Sequence, residues 1–588
     1  MATDPKEDIS LYLIPPDTPV NKLDCTEAFK GLTDKEKLYA HHFGRACWEG
    51  GLICLLQTSP ESPGIFLLLG ELFRGQSLEA LKELANGCGL SEDEYKSFLA
   101  YSAAFYSNFG NYKSFGDTKF IPDLPREKLE KLITSSQCYC DNKERISFLW
   151  SSVADGMFSL HPPTVRQLAF PPDGITTYYS GNCGKEDAEI IKEFMLNKDL
   201  SPYNTRLFKN EDGTYELRLA SSLTNDTPPS PNDKVSSLLG PHQFPSPRTS
   251  SSVSIKISRG DYHTLMKRMT DELEAAAHHV ANRNQKDMID RYVSSFSRGS
   301  VPDHEDASRY WIKDKGPVVE TYIGFIESYR DPFGLRGEYE GIDKRVTFLT
   351  TEDQGVFTDL RGKAFEVQVG LHELLGHGSG KLFSKDKNGV FNFEQDKVIN
   401  PLTGDKIRSW YNPGETWDTQ FSTIASTYEE CRAECVGIYL STDRNILRIF
   451  GYEGAEAEDI MYVNWLSMLR AGLIALEFYT PETKKWRQAH MQARYVISDV
   501  SSGQLLYNKY STVTDDHLML RDIVMARKMP RRLFVQPHTS IDTDGSVVLN
   551  EFDSSFEGII SSFLARYPNY DTELESLWRN DQHYWKQK

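Results

Sequence analysis

No apolar run in the 588-residue sequence reaches the ~20 residues that a membrane-spanning helix needs, which argues against a membrane partner. The opening stretch, Met1 to Ser10, has neither a basic n-region nor an apolar h-region, so no secretory signal is predicted. An excess of positive charge is missing too: 66 Lys and Arg stand against 84 Asp and Glu, for a formal net charge of −18. That balance argues against nucleic acid or an anionic membrane as partner. It suits cationic species such as peptides with a protonated amino end. The nine cysteines are odd in number and scattered, with no Cys-x-x-Cys pair. Free thiols in a reducing compartment are the simplest account, hence a cytoplasmic protein.

What is present is ordinary globular composition, 39% hydrophobic and 26% charged, in a chain too long for a single core. Two or more lobes are expected. One stretch organises the chemistry: His372-Glu373-Leu374-Leu375-Gly376-His377, preceded by the mostly apolar run Val367 to Leu371. Metal-binding histidine pairs on helices usually sit at i and i+4, on one face. Here the second histidine is at i+5, about 140° round a regular helix and too far to share an ion. The pair works only if the helix widens locally, as a π-bulge does. Gly376, with no Cβ, is the residue expected to ease that distortion. The H-E-x-x-G-H string arises by chance in roughly one chain in a thousand of this length.

Two imidazoles on zinc need a third protein ligand and an open position. The best candidate lies on a second helical stretch, Ser426 to Cys435, where Glu430 and Glu434 are i,i+4 with Glu429 beside them. One carboxylate would ligate; the others would accept the second N–H of each histidine and fix its orientation. Cys431 and Cys435 lie close by, but the pattern offers enough ligands without them.

These two motifs closely resemble dipeptidyl peptidase III, a zinc exopeptidase family with the H-E-x-x-G-H and E-E-C-R-A-E signatures. The likeness extends to Tyr106–Phe120, Gly174–Cys183, Gly316–Gly334 and Trp486–Arg494. It implies one zinc per chain, held by His372, His377 and Glu430, with Glu373 as catalytic base. Glu429 and Glu434 would support the ligating rings from behind. It also implies an α+β fold of two lobes separated by a wide cleft: a mostly helical zinc-binding lobe, and a mixed lobe with helices and a small β-barrel. Residues 1–340, with 528–588 returning to them, are expected to form the substrate-binding lobe, and 341–527 the catalytic lobe.

Along the chain, helices are expected from Leu23 to about Leu149 and over Gly260–Ser297, with a Ser/Pro-rich exposed loop over Ser221–Ser252. Alternation over Val318–Glu327 suggests a strand with Glu320 and Tyr322 on one face. By resemblance that strand touches substrate; Glu320 would pair with the peptide ammonium and Tyr322 would donate to a carbonyl. Anchoring the amino end at a set distance from the metal is what dipeptide release requires. The stretch Ile460–Glu477, apolar over most of its circumference, is expected to be buried. His490 and Arg494 are i,i+4; by resemblance His490 stabilises the transition state and Arg494 lies near the peptide. Arg527 or Lys528 is a plausible partner for a peptide carboxylate.

The sequence also departs from the family. Two stretches are skipped, one between Gly341 and Arg345 and one near Asp499-Val-Ser-Ser, so the chain reads as a shortened form. Some members dock into a Kelch-type pocket through an acidic Glu-Thr-Gly-Glu turn; the matching text here is Leu402-Thr403-Gly404-Asp405, and that interaction is not expected. The leading reading is a zinc-dependent exopeptidase that releases dipeptides from short peptides with a free N-terminus. A catalytically impaired, zinc-binding isoform acting through peptide or partner binding is the alternative. A gluzincin aminopeptidase removing single residues is a third, against which the inserted Gly376 argues.

Overall fold

A computed structural model describes residues 9–325, 349, 351–501 and 532–586, apart from short stretches at 115–116, 172–173, 229–232, 247, 250–251, 379–381, 401–402 and 481–483. The fold is α+β. The chain divides into two compact units, one made of Met1–Arg336 with Pro530–Lys588 and the other of Gly337–Met529. Arg527 and Lys528 lie outside the described residues, as do Leu402, the skip at 341–345 and the remainder of the stretch after Phe325. No helix of the described residues is long and apolar enough to cross a membrane.

The first unit is built on helices α1 (Asp34–Thr58), α2 (Ser62–Arg74), α3 (Glu92–Asn108) and α4 (Lys143–Phe158). α1 starts where the sequence signals it: Thr33 and Glu36 form a reciprocal capping box, the Glu36 Oε2 accepting from the Thr33 N–H at 2.8 Å. The aromatics Tyr39, Phe43, Phe66 and Phe73 are core residues. Next comes α5 (Lys185–Lys198), which lays Ile191, Phe194 and Met195 on a sheet of β1 (Thr205–Lys209), β2 (Tyr215–Ala220), β3 (Gly240–Phe244) and β4 (Val253–Asp261). The sheet order is β1-β2-β4-β3, with β2 and β4 parallel and the outer pairs antiparallel.

Three expectations change here. Strand β3 lies inside the Ser/Pro-rich stretch that reads as loop, because pairing with β4 overrides its local composition. The helical stretch expected over Gly260–Ser297 is two helices, α6 (His263–Ala276) and α7 (Arg283–Arg298), the second capped by Asn282, which accepts from the Gln285 N–H at 3.0 Å. The strand expected from Val318 is irregular through Phe325. Among the described residues no strand pairs with it; its polar side chains lean instead on helix α8 (Val301–Trp311).

The implied barrel is likewise not found. The described strands form that one open four-stranded sheet and three two-stranded ladders, and four strands are too few to close on themselves. The C-terminal helices Phe556–Arg566 and Thr572–Lys586 complete the first unit. Trp578 is fully buried there and its indole N–H donates to the Pro60 carbonyl at 2.6 Å. Arg206 on β1 ties the sheet to the same helix, bidentate to Asp261 (2.7 and 2.6 Å) and bonded to Asp581 at 2.7 Å.

The second unit contains α9 (Thr351–Leu371), α10 (Ala425–Leu440), α11 (Gly454–Ile474) and α12 (Ala489–Ser501). Phe357, Ala364, Val367 and Leu371 of α9 meet Ala457, Ile460 and Val463 of α11 in its core. α11 is not buried all round as its composition suggests: Tyr462, Trp465 and Leu473 form an exposed stripe opposite that core face. Periodicity reports which faces are apolar, not whether a neighbour is there to cover them.

Candidate metal centre

Helix α9 runs directly into one turn of π-helix over His372–His377. The wider turn carries residue i+5 back over residue i. His372 and His377 therefore meet edge to face with ring centroids 4.8 Å apart at 81°, and their Nε2 atoms approach to 3.1 Å. Gly376 has a firmer reason than easing the turn. A Cβ there would lie 2.8 Å from the Ala433 Cα and 2.9 Å from its Cβ, so the glycine lets α10 approach the turn. Arg432 of α10 fastens the contact by donating to the Gly376 carbonyl at 2.7 Å. Gly376→Ala is expected to destabilise the second unit by about 1–3 kcal/mol through overpacking, and to weaken metal binding as the two helices part. Thermal unfolding and a metal titration on the variant check both.

From α10, Glu430 reaches into the space between the rings. Its Oε2 lies 3.3 Å from the His372 Nε2 and 3.6 Å from the His377 Nε2. On zinc, bonds of about 2.0–2.1 Å in a tetrahedron set ligand atoms about 3.3 Å apart. The three observed edges of 3.1, 3.3 and 3.6 Å fit that triangle. A second observation agrees: Glu430 Oε2 is buried yet accepts no aligned hydrogen bond, although three ring nitrogens surround it. Burial alone would raise the Glu430 carboxyl, but the His372 and His490 rings outweigh it and hold it at about 2.

Behind each ring stands another carboxylate. Glu429 Oε1 lies 2.9 Å from the His377 Nδ1 and is itself gripped by Arg432, whose Nε donates to Oε2 at 3.0 Å. Glu434 Oε2 lies 3.5 Å from the His372 Nδ1. Buried at 1% exposure, Glu434 would be costly as an isolated charge, but Arg494 Nε donates to its Oε1 at 2.7 Å and Gln368 to its Oε2 at 2.8 Å. Burial would raise its carboxyl, but the Arg494 guanidinium and the His372 ring hold it well below the usual carboxylate range. With a metal bound, protons on the two Nδ1 atoms would leave both Nε2 lone pairs directed inward.

Glu373 is the exposed member, its Oε1 4.0 Å from the His372 Nε2. His490 on α12 brings its Nδ1 to 2.9 Å from Glu430 Oε2, with its ring 6.0 Å from that of His372. Donor atoms of His372, Glu430 and His490 lie close enough to hold an ion, as do those of His372, Glu373 and His377. Glu320 and Tyr322 belong to the first unit. Glu320 Oε1 accepts from the Trp311 indole at 2.7 Å and the Thr321 N–H at 2.9 Å; the Tyr322 hydroxyl meets Ser308 at 3.0 Å and His304 at 3.3 Å. All nine cysteines are free thiols, Cys431 and Cys435 among them.

Gln368, Asn464 and Arg432 are the side chains that motif reading passes over. Asn464 donates to the Gln368 Oε1 at 3.0 Å, so a buried amide chain runs from α11 through α9 to Glu434. The signals were there: Gln368 interrupts an apolar run four residues before His372, and Arg432 follows Glu429 by three.

The sequence pattern of peptidase family M49 matches residues 149–343, 342–500 and 497–567. Dipeptidyl peptidase 3 of Nematostella vectensis is 45% identical over 725 aligned positions, covering 98% of this chain and 98% of that protein. The Homo sapiens protein of the same name is 42% identical, again over 98% of each. Among solved structures, DPP III from Caldithrix abyssi is 13% identical with a TM-score of 0.40, over 88% of this chain and 97% of that one. An alignment of 725 positions on a chain of 588 means that well over a hundred positions have no residue here. The family match comes in three segments that overlap at residues 342–343 and 497–500, next to the two places where the sequence reads as skipped.

Proposed function

We propose, since the chain belongs to peptidase family M49 and is a metallopeptidase, that it releases dipeptides from the free N-terminus of short peptides with one zinc held by His372, His377 and Glu430. The observation that carries this reading is the triangle of two imidazole nitrogens and one orphaned carboxylate oxygen, with edges of 3.1 to 3.6 Å. When bound, zinc supplies Lewis acidity and a water whose pKa falls from about 15.7 towards about 7.

The residues do the rest. Glu373, exposed beside His372, takes the proton from the attacking water and passes it to the leaving amine. His490 presents its outer ring nitrogen to the oxyanion while its Nδ1 faces Glu430, and the Tyr322 hydroxyl is a second donor. Glu320 pairs with the peptide ammonium, and Arg494, Arg527 and Lys528 serve the peptide backbone and carboxylate. In this scheme residues 1–340 with 528–588 bind substrate and 341–527 carry the chemistry. The nine free thiols suit a cytoplasmic protein.

The test is hydrolysis of a fluorogenic dipeptide conjugate by the purified chain, with zinc measured on the same sample and products read by mass spectrometry. Dipeptides released by a zinc-loaded chain, stopped by a chelator and restored by zinc, support the reading; single amino acids would replace it with an aminopeptidase. One observation favours a second reading, an impaired zinc-binding isoform: the positions this chain lacks relative to its relatives. Stoichiometric zinc without turnover would decide for it.

Zinc uptake should also depend on pH. Burial would lower the His372 ring, but Glu430 and Glu434 outweigh it and push it up to about 9. The metal-free site therefore carries a proton at neutral pH, and zinc must displace it. Apparent affinity is expected to rise about tenfold per pH unit up to about pH 9 and then level. Competition against a chromogenic chelator across that range reads the slope; a flat profile would mean His372 is already neutral.

A further inference from the structure

In the first unit, a cavity of about 620 Å³ opens beside the start of α2, with Glu61, Lys119, Arg126 and Asp155 among its lining residues. Two of these charges lie deep: Glu61 is 9% exposed and Lys119 2%. They pair at 3.3 Å, from the Lys119 Nζ to the Glu61 Oε1. Asn111 donates to the same oxygen at 2.7 Å. Asn111 is itself held by the Ser59 and Ser62 hydroxyls, at 2.8 and 3.0 Å, so the carboxylate is fixed in place. The other oxygen is open. Among the described residues nothing donates to Glu61 Oε2, and it keeps an accessible surface. The Lys119 ammonium has three N–H donors, and Glu61 is the one acceptor it meets among those residues.

The rest of the lining is apolar or already satisfied. Phe158, Val165 and Ile175 form walls, and the Tyr112 hydroxyl is spent on the Val165 carbonyl at 2.6 Å. Gly156 of α4 belongs to the same wall; a Cβ there would lie 2.8 Å from the Glu61 Cγ, so only glycine lets α4 close on that carboxylate. At the rim Arg126 Nη1 donates to Asp155 Oδ1 at 2.6 Å. The fixed cations and carboxylates therefore balance, and a ligand with a net charge of either sign gains little. A buried ion pair is favourable only when its remaining lone pairs and protons also find partners. Water can serve the polar floor, but it gains nothing from the apolar walls.

We propose that this cavity binds a free α-amino acid with an apolar side chain, its ammonium on Glu61 Oε2, its carboxylate on Lys119 and its side chain against Phe158 and Val165. Such a molecule is neutral overall, as the balanced lining requires, and charged at two points. Both charges sit on one carbon, which suits a carboxylate and an ammonium held side by side at 3.3 Å. In a dipeptide they lie a residue further apart. The volume falls within the range of about 300–1,000 Å³ usual for small-molecule sites. All the lining residues belong to the first unit, and none belongs to the metal centre.

The test titrates L-leucine into the full, zinc-loaded chain, followed by isothermal titration calorimetry and by saturation-transfer NMR. One saturable leucine per chain is expected. N-acetylleucine and leucinamide each lack one of the two charges and should bind about tenfold or more weakly, since a hydrogen bond to a charged group is lost. His377→Ala, without its metal centre, should bind leucine as the parent does, which separates this site from zinc and from the peptidase reading. Replacing the pair together, Glu61→Gln with Lys119→Met, leaves neither charge alone and should abolish binding. Should that double variant fail to fold, the comparison of the three ligands on the parent chain decides by itself. Absence of saturable leucine binding by the parent, equal binding of N-acetylleucine, or loss of leucine binding in His377→Ala would overturn the proposal.

Discussion

Glu373→Gln is expected to bind one zinc per chain and to hydrolyse dipeptidyl substrates about a thousandfold more slowly. The two halves of this outcome come from separate features. Glu373 Oε1 is 4.0 Å from the His372 Nε2, outside the tight triangle, and its side chain is the most exposed of the cluster at 62%. Removing its charge leaves both rings, Glu430 and their supporting carboxylates untouched, so metal content should hold. What goes is the acceptor for the proton released as the peptide bond is attacked, and the same group's later delivery to the amine. A variant that turned over at the parental rate would remove Glu373 from the mechanism, whereas one that lost zinc would make it a ligand.

His377→Ala should lose both zinc and turnover, while His490→Ala keeps zinc and loses activity by about 10²–10³-fold, the usual effect of deleting an oxyanion donor. The pair decides between two triads that share His372 and Glu430. Both nitrogens approach Glu430 Oε2, His490 Nδ1 at 2.9 Å and His377 Nε2 at 3.6 Å. The geometry favours His377 on other grounds: its Nε2 is 3.1 Å from that of His372, and its Nδ1 is backed by Glu429 at 2.9 Å, as a ligating ring requires. Zinc content by mass spectrometry on each variant, with kcat measured beside it, gives the answer. The reverse pattern would reassign the third ligand to His490.

Much of this centre is legible in the sequence because helical spacing is a rigid ruler. An i+5 histidine pair demands a widened turn, and a π-turn is what His372–His377 adopts. The i,i+4 spacing likewise puts Glu430 and Glu434 on one face of α10. What spacing cannot give is the partner across a contact. Gly376 looks like a flexible joint until Ala433 is seen against it, and Gln368 looks like a blemish in an apolar run until Glu434 is seen above it. The same limit explains the fold-level differences. Val318–Phe325 alternates but finds no strand to pair with among the described residues, β3 has turn-forming composition but does find one, and α11 carries a second apolar stripe that stays exposed.

The embrace of Pro60 by Trp578 has a temporal consequence. A ribosome finishes the span from Gly337 to Met529 before the last piece of the first unit exists. During that interval the early helices hold an unfilled groove where the indole will lodge, and chaperones meet a half-built body attached to a nearly finished one. Nascent chains arrested before Trp578 should accordingly be more readily cleaved within their first 60 residues than released ones.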